Sequence, residues 1–391
     1  MNHSDQTVPD LVSTLQTDLT SGLADATTSV PRHVERDLDL FNNTFFYLVG
    51  VSGTVVSIIG IVGNSLSISV LSHVDMRLVM AGLYFFPSTY LLVLAVYDNL
   101  FLVARLLAVS GEWLVYGITR SRVFQLKYTT PAAAVLEPIA FVLGTGSIFT
   151  TVGLTIDRCI AVMLPLKASV ICTKRRVRIV QSVVFLLSVL TNVPLFLETR
   201  LEKRVETPYR DTEFHATVYL LFLYPIVKTF APAVIIFLCN SIIAGTVLRA
   251  RKTGMTSSDV TTRVNDAHRL TAQVVFISLI TLLSRLFEAL TFVMLEINDT
   301  VFYDECPVYC FVVAAMNEFL ATFNSAANFF CYCYFGQRFR AILLQQMGVC
   351  KASSCCIPDA DSSNRRRSGM GSKTVSLTSV TSTASQAAIY M

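Results

Sequence analysis

The sequence predicts an all-α membrane protein, a bundle of seven transmembrane helices followed by a short amphipathic eighth. Three observations carry that prediction. Hydrophobic residues make up 53% of the chain and charged residues 15%, with a mean hydropathy of +0.57, which excludes an ordinary soluble domain. Seven apolar segments, 45–72, 84–109, 132–164, 178–198, 217–248, 270–295 and 307–334, are each long enough to cross the hydrocarbon core. Lys and Arg in the tails and loops are about twice as frequent on the C-terminal side of these spans as on the N-terminal side, and acids run the other way. The positive-inside rule then places the N-terminus outside and the C-terminus in the cytoplasm, as an odd number of crossings requires.

Residues 1–44 are polar and acidic and read as a disordered extracellular tail. They lack the apolar core of a cleavable signal, so the first span is expected to insert the tail itself. Asn-x-Ser/Thr sequons at Asn2, Asn42 and Asn298 all fall on the outer side and are candidate glycosylation sites. All ten cysteines lie at or after Cys159, so the outer N-terminal half can form no disulfide. Cys306 and Cys310 alone sit where oxidation is expected, either bridged to each other or as two free thiols at a helix start.

Span one contains Gly63-Asn64, an amide deep in apolar surroundings, and span two carries Asp98, a lone carboxylate near mid-membrane. Such an acid is costly there and marks function more often than structure. Trp113 follows, in what reads as a loop, as an interfacial anchor. Span three is the organising element: Ala140, Gly144, Ser147, Thr151, Leu154 and Arg158 recur at helical spacing and form a small, polar face for the bundle interior. It ends in Asp157-Arg158, then Leu164-Pro165-Leu166 and the basic run Lys174-Arg175-Arg176. Span four ends in Asn192-Val193-Pro194. Span five has Pro232, which permits a kink, and Asn240 below it. Residues 249–269 read as a polar, basic loop. On span six Arg285 and Glu288 lie three residues apart, close enough to pair. On span seven Glu318, Ala321, Ser325, Asn328 and Tyr332 share a face.

Phe335–Leu344 alternates apolar and basic groups at helical spacing and reads as the amphipathic helix on the inner leaflet. The membrane domain thus runs over 45–345, and 346–391 forms a disordered cytoplasmic tail. There Cys350, Cys355 and Cys356 are acylation candidates, with free thiols the alternative, and Arg365-Arg366-Arg367-Ser368 is a kinase target.

The order and spacing of Gly63-Asn64, Leu94-Ala95-x-x-Asp98, Asp157-Arg158-Cys159 with Pro165-Leu166, and Asn324-Ser325-x-x-Asn328-x-x-x-Tyr332 before Phe335 and Phe339 resemble a rhodopsin-like G-protein-coupled receptor over about residues 45–345. Asn328-Phe329, Asn192-Val193-Pro194 and Tyr128-x-x-Pro131 are most similar to invertebrate FMRFamide-type neuropeptide receptors. The resemblance implies a plasma-membrane receptor that signals through a heterotrimeric G protein, with kinases and arrestin acting on its tail. It implies a sodium pocket at Asp98, Ser147, Asn324, Ser325 and Asn328, a hard-ligand set suited to a weakly held cation, and no other cofactor. It further implies that Arg158 rests paired with Asp157, and that Asn240 and Tyr332 support the open form. Ala140 stands where amine receptors carry an aspartate, and the last span has no lysine for a retinal Schiff base.

Glu137, Glu288 and Glu318, with Lys228 and Arg285, then point to a short peptide carrying a basic residue and an amidated aromatic end, its cation on Glu318 or Glu288. Arg285 competes for Glu288, which favours Glu318. Departures from the family pattern are a span four without tryptophan, a span six without proline, Cys159 for tyrosine and Phe329 for proline. A transporter or channel with an ion path along Asp98, Arg105, Arg285, Glu288 and Glu318 competes with this reading, but it predicts pseudo-symmetric halves that the sequence lacks. A weakly coupling decoy receptor is the third reading. Enzyme chemistry and nucleic-acid binding find no motif.

Overall fold

The structure, a computed structural model, describes residues 32–73, 87–119, 130–201, 218–219, 222–252, 261–294 and 308–348. The described residues form helices and short connections and no strand. Six helical stretches are long and apolar enough to cross a membrane: Asp39–Ser72, Thr89–Thr119, Val135–Met163, Lys174–Leu197, Ile226–Arg249 and His268–Phe292. The seventh helix, Val308–Phe335, has 28 residues, enough to span. Its hydropathy is lower because Thr322, Asn324, Ser325 and Asn328 are placed along it, and all four are buried in the bundle. The helix Gln337–Gln346 follows after Gly336.

Three boundaries differ from the sequence reading. The expected tail is helical from Arg32 through Thr44 and runs through a π-helical stretch, Phe45–Ser52, into Gly53–Ser72. Aromatic packing holds this extension: the rings of Phe41 and Phe45 lie 5.6 and 4.8 Å from that of Trp113. Span two does not end near residue 109 but continues through a π-turn, Leu106–Ser110, into Gly111–Thr119. Trp113 is therefore a helical residue between spans one and two, not a loop anchor. The expected loop 249–269 is helical up to Lys252 and again from Thr261. On span five the irregularity expected at Pro232 is a π-helical stretch, Ile226–Phe230, directly ahead of it. Proline lacks the N–H that a regular turn would use, and the wider turn accommodates that loss.

Close packing replaces the hydrophobic effect between helices in lipid, and small residues set how near two helices come. A Cβ on Gly60 would stand 2.7 Å from the Ala326 Cβ, and one on Gly63 would stand 2.8 Å from Phe329. These two glycines let span seven pass against span one. Span three is the central rod and the most deeply buried of these six helical stretches, whereas span four is the least buried and lies at the periphery. The interior face read from the sequence is the buried one: Ala140, Ser147, Thr151, Leu154 and Arg158 are at most 6% exposed. At the Arg158 end, Tyr90, Leu94, Leu154, Ile277, Tyr332 and Phe339 belong to one apolar core.

The helix Gln337–Gln346 buries Phe339, Ile342 and Leu343 and leaves Arg338 exposed. Arg340 donates to the carbonyls of Cys333 (2.6 Å) and Tyr334 (2.8 Å), satisfying the open end of span seven. Ser69 on span one donates to Gln346 Oε1 at 3.2 Å, which ties down the far end of this helix.

Candidate functional site

Between the N-terminal half of span three and spans two, five, six and seven lies a cavity of about 330 Å³. Its walls contain all five residues read from the sequence as a ligand site, Glu137, Lys228, Arg285, Glu288 and Glu318. Their charges are sorted. Arg105, Glu137 and Glu318, from spans two, three and seven, sum to a formal −1, and Lys228, Arg285 and Glu288, from spans five and six, sum to +1.

Each acid already has company. Arg285 pairs with Glu288, as their spacing required, and Thr229 adds a hydroxyl to Glu288 at 3.0 Å. Arg105 pairs with Glu318, which the sequence reading had left open for the ligand. Arg105 also lies near enough to Glu137 to feel its charge. Lys228, 3% exposed, donates to Asn192 Oδ1 at 3.2 Å and sits over the rings of Tyr224 (4.1 Å) and Phe141 (4.7 Å). Asn192 is in turn fixed by donating to Ser188 O (2.7 Å) and Thr145 Oγ1 (3.1 Å). Cation–π contact and an amide oxygen thus stabilise an ammonium inside hydrocarbon. Arg105 was read from the sequence as one of the charges in the outer halves of the spans but not as a ligand contact. Asn192 stood out only as part of the Asn192-Val193-Pro194 end of span four, and Thr229 carried no signal beyond a polar residue in a span.

Below the cavity, Asp98 is fully buried. Its two oxygens accept from Ser147 Oγ and from Asn328 Nδ2, both at 2.6 Å. Asn64 Nδ2 donates to the Ser325 carbonyl at 3.0 Å, and Thr281 donates to Asn324 Oδ1 at 3.1 Å. Of the expected sodium set, Ser147 and Asn328 thus reach Asp98 directly, Asn324 is held by Thr281 of span six, and Ser147, Asn324 and Ser325 reach the cavity floor. Asp98 has no cationic partner among the described residues.

At the far end, Arg158 and Asp157, expected to rest paired, share no hydrogen bond among the described residues but lie within electrostatic reach of each other. Neighbouring residues of a helix project about 100° apart and do not face each other. Asp157 instead accepts from the Tyr90 hydroxyl and lies within electrostatic reach of Arg158 and Arg176. Asp157 Oδ2, Arg158 Nε and the Tyr332 hydroxyl are buried without a hydrogen-bond partner. Asn240 and Ser278 exchange hydrogen bonds at 2.9 and 3.1 Å, joining span five to span six. Asn42 is 6% exposed within its helix, so the folded chain offers no open glycan acceptor there. Asn2, Asn298, Cys306, the Cys310 side chain, Cys350, Cys355 and Cys356 lie outside the described residues.

The structure thus combines a helical bundle, a charged interior cavity, a buried hydrogen-bonded carboxylate below it and a buried arginine at the other end. The family model of the 7 transmembrane receptor (rhodopsin family) matches residues 66–332, and the chain belongs to that family, whose members are receptors rather than enzymes. The FMRFamide receptor of Drosophila melanogaster is 27% identical over 319 residues, covering 78% of this chain and 54% of that one. The chain spans about half the length of that relative. The crystal structure of squid rhodopsin superposes with a TM-score of 0.60 at 19% identity, over 85% of this chain and 93% of that one. The transporter or channel reading falls with the family assignment.

Proposed function

We propose that the chain is a plasma-membrane receptor, N-terminus outside, that binds a short amidated peptide and signals through a heterotrimeric G protein. The observation that carries this reading is the sorted charge of the cavity. Glu318 and Glu137 form the acidic wall and suit the cation of a basic side chain. Lys228 and Arg285 form the opposite wall and suit the carbonyl oxygen of a terminal amide. Phe141, Tyr224 and Phe292 line the same space and suit an aromatic side chain beside that amide. The printed name of the Drosophila relative supports a peptide of this kind. Glu288 is the weaker anchor, since Arg285 and Thr229 already occupy it.

Asp98, Ser147, Asn324, Ser325 and Asn328 suit a sodium ion. A buried carboxylate served only by neutral donors lacks the positive charge it needs, and hydroxyl and amide oxygens complete a set for a weakly bound monovalent cation. A bound ion would supply that charge, while the chain's own donors hold the carboxylate in place. Toward the Arg158 end, Asp157, Arg158, Asn240 and Tyr332 form the coupling surface, whose unpartnered polar atoms suit an incoming G-protein segment. Kinases and arrestin would act on the tail beyond residue 346, Cys350, Cys355 and Cys356 would anchor it, and Asn2 and Asn298 would carry glycans.

The test is a panel of amidated peptides and their free acids, applied to cells expressing the chain while calcium and cyclic AMP are recorded. An amidated peptide with a basic residue is expected to respond, and Glu318→Gln is expected to weaken its potency by at least about tenfold, the loss of one charge-assisted contact. A Glu318→Gln receptor as responsive as the parent would overturn the cation's placement. Ion current or flux without any G-protein response would overturn the coupling itself.

A further inference from the structure

Span three ends in two sulfurs. Cys159 and Met163 stand four residues apart on one face of the last turn of Thr130–Met163, and their sulfurs lie 3.7 Å apart. A third sulfur comes from span five, where the thiol of Cys239 lies in hydrogen-bond contact with that of Cys159. Both cysteines are free thiols; Cys159 is buried and Cys239 half-buried, whereas Met163 is 51% exposed at the helix end. Under the positive-inside reading this end of the bundle faces the cytoplasm, where thiols stay reduced. None of the three lines the cavity.

Two thiols and a thioether from two helices make a soft donor set. Thioether sulfur does little for hard ions, and thiolate together with thioether selects copper(I). Among the described residues no three His, Cys, Asp or Glu side chains come together, so the usual zinc donor set is not formed there. At a metal–sulfur length of about 2.3 Å, two ligand sulfurs stand about 3.8 Å apart around a tetrahedral metal and about 4.0 Å apart around a trigonal one. The observed 3.7 Å needs only a small adjustment to meet either.

We propose that Cys159, Met163 and Cys239 form a binding site for a soft monovalent cation, copper(I). On binding, both thiols give their protons to solvent, two copper–thiolate bonds form and Met163 donates a sulfur lone pair. The metal stays copper(I) throughout, so no oxidant or reductant is needed. The exposed Met163 is the entry path, and the buried Cys159 is the central ligand, in contact with both other sulfurs. The ion ties span three to span five beside Arg158 and Asn240.

The experiment uses the full chain in detergent, with Cys306, Cys310, Cys350, Cys355 and Cys356 changed to Ser so that thiols outside the bundle do not compete. Copper(I) is titrated against the chelator bicinchoninate, and X-ray absorption counts the sulfurs on the metal. One copper(I) per chain is expected, with three sulfurs at about 2.3 Å. Cys159→Ser or Cys239→Ser should each weaken affinity at least about 100-fold, and Met163→Leu about tenfold. Cys172→Ser and Cys333→Ser, elsewhere on the same end, should stay within about twofold. Copper(I) should raise the melting temperature of the parent but not of the Cys159 or Cys239 variants, each first matched to the metal-free parent in elution and melting; Cys239→Ala replaces any Ser variant that fails that match. Parent affinity in a matched cysteine variant, or fewer than three sulfurs on the metal, would overturn the proposal. So would tighter binding of zinc(II) than of copper(I), or a Cys159–Cys239 disulfide formed in place of metal uptake. None of these readouts needs a peptide or a G protein, so they stand apart from the proposed receptor function.

Discussion

Around the cavity, side-chain charges are matched across helices: Arg105 to Glu318, Arg285 to Glu288, and Lys228 to an amide oxygen and two rings. Around Arg158 no ion pair is closed by a hydrogen bond, although Asp157 lies within electrostatic reach of Arg158 and Arg176. Asp157 Oδ2, Arg158 Nε and the Tyr332 hydroxyl are buried and unserved, and the Asn240–Ser278 pair is a neutral clasp. In the cavity half Asn317 Oδ1 and the Nε atoms of Arg105 and Arg285 are left over, but the two ion pairs and the lysine contacts are made. The contrast teaches that the two halves carry their polar groups for different ends. A closed set of pairs presents an entering ligand with charges it must exchange. An open set stores unmet hydrogen bonds that a second partner can satisfy, because an unserved polar atom in hydrocarbon is costly.

That comparison can be broken at several points. The largest effect is expected where a matched charge is orphaned. Arg285→Ala leaves Glu288 with Thr229 alone and should cost about 3–5 kcal/mol in thermal or denaturant unfolding, whereas Arg285→Ala with Glu288→Ala should recover most of it. Next comes the join between the halves. Asp98→Leu removes the acceptor of Ser147 and Asn328 and should cost about 2–4 kcal/mol. Asp98→Asn should be milder and should abolish any change in melting temperature when sodium is exchanged for N-methylglucamine. A sodium response that survives in Asp98→Asn would place the ion elsewhere.

Gly63→Leu should cost about 1–3 kcal/mol, because Phe329 blocks the added side chain and span seven must move away from span one. The smallest effect belongs to the clasp. Ser278→Ala should change stability by about 0.6 kcal/mol. If the Arg158 end is the coupling surface, the same change frees Asn240 and raises ligand-independent nucleotide exchange in membranes.

Legibility in the sequence followed sequence distance. Span length and the inward face of span three could be read because apolar run and helical period are local. Span seven was legible both as the apolar segment 307–334 and from the polar stripe along it. The helix Arg32–Thr44 was not, since its charges masked an apolar series at Val34, Leu38, Phe41 and Phe45. The Arg285–Glu288 pair was readable at a separation of three residues. The partners of Glu318 and Lys228 were not, because they lie 213 and 36 residues away and only helix packing brings them together. The expected Asp157–Arg158 pair came from resemblance rather than geometry, and adjacent positions on one helix do not favour it.

Binding and signalling measured side by side test the division of labour most directly. With an active amidated peptide in hand, labelled-peptide affinity and G-protein activation are recorded for the parent, Glu318→Gln and Arg158→Ala. The account predicts that Glu318→Gln loses both, while Arg158→Ala keeps its affinity within about twofold and loses activation. An Arg158→Ala receptor that activates normally, or a Glu318→Gln receptor that binds as the parent does, would contradict it.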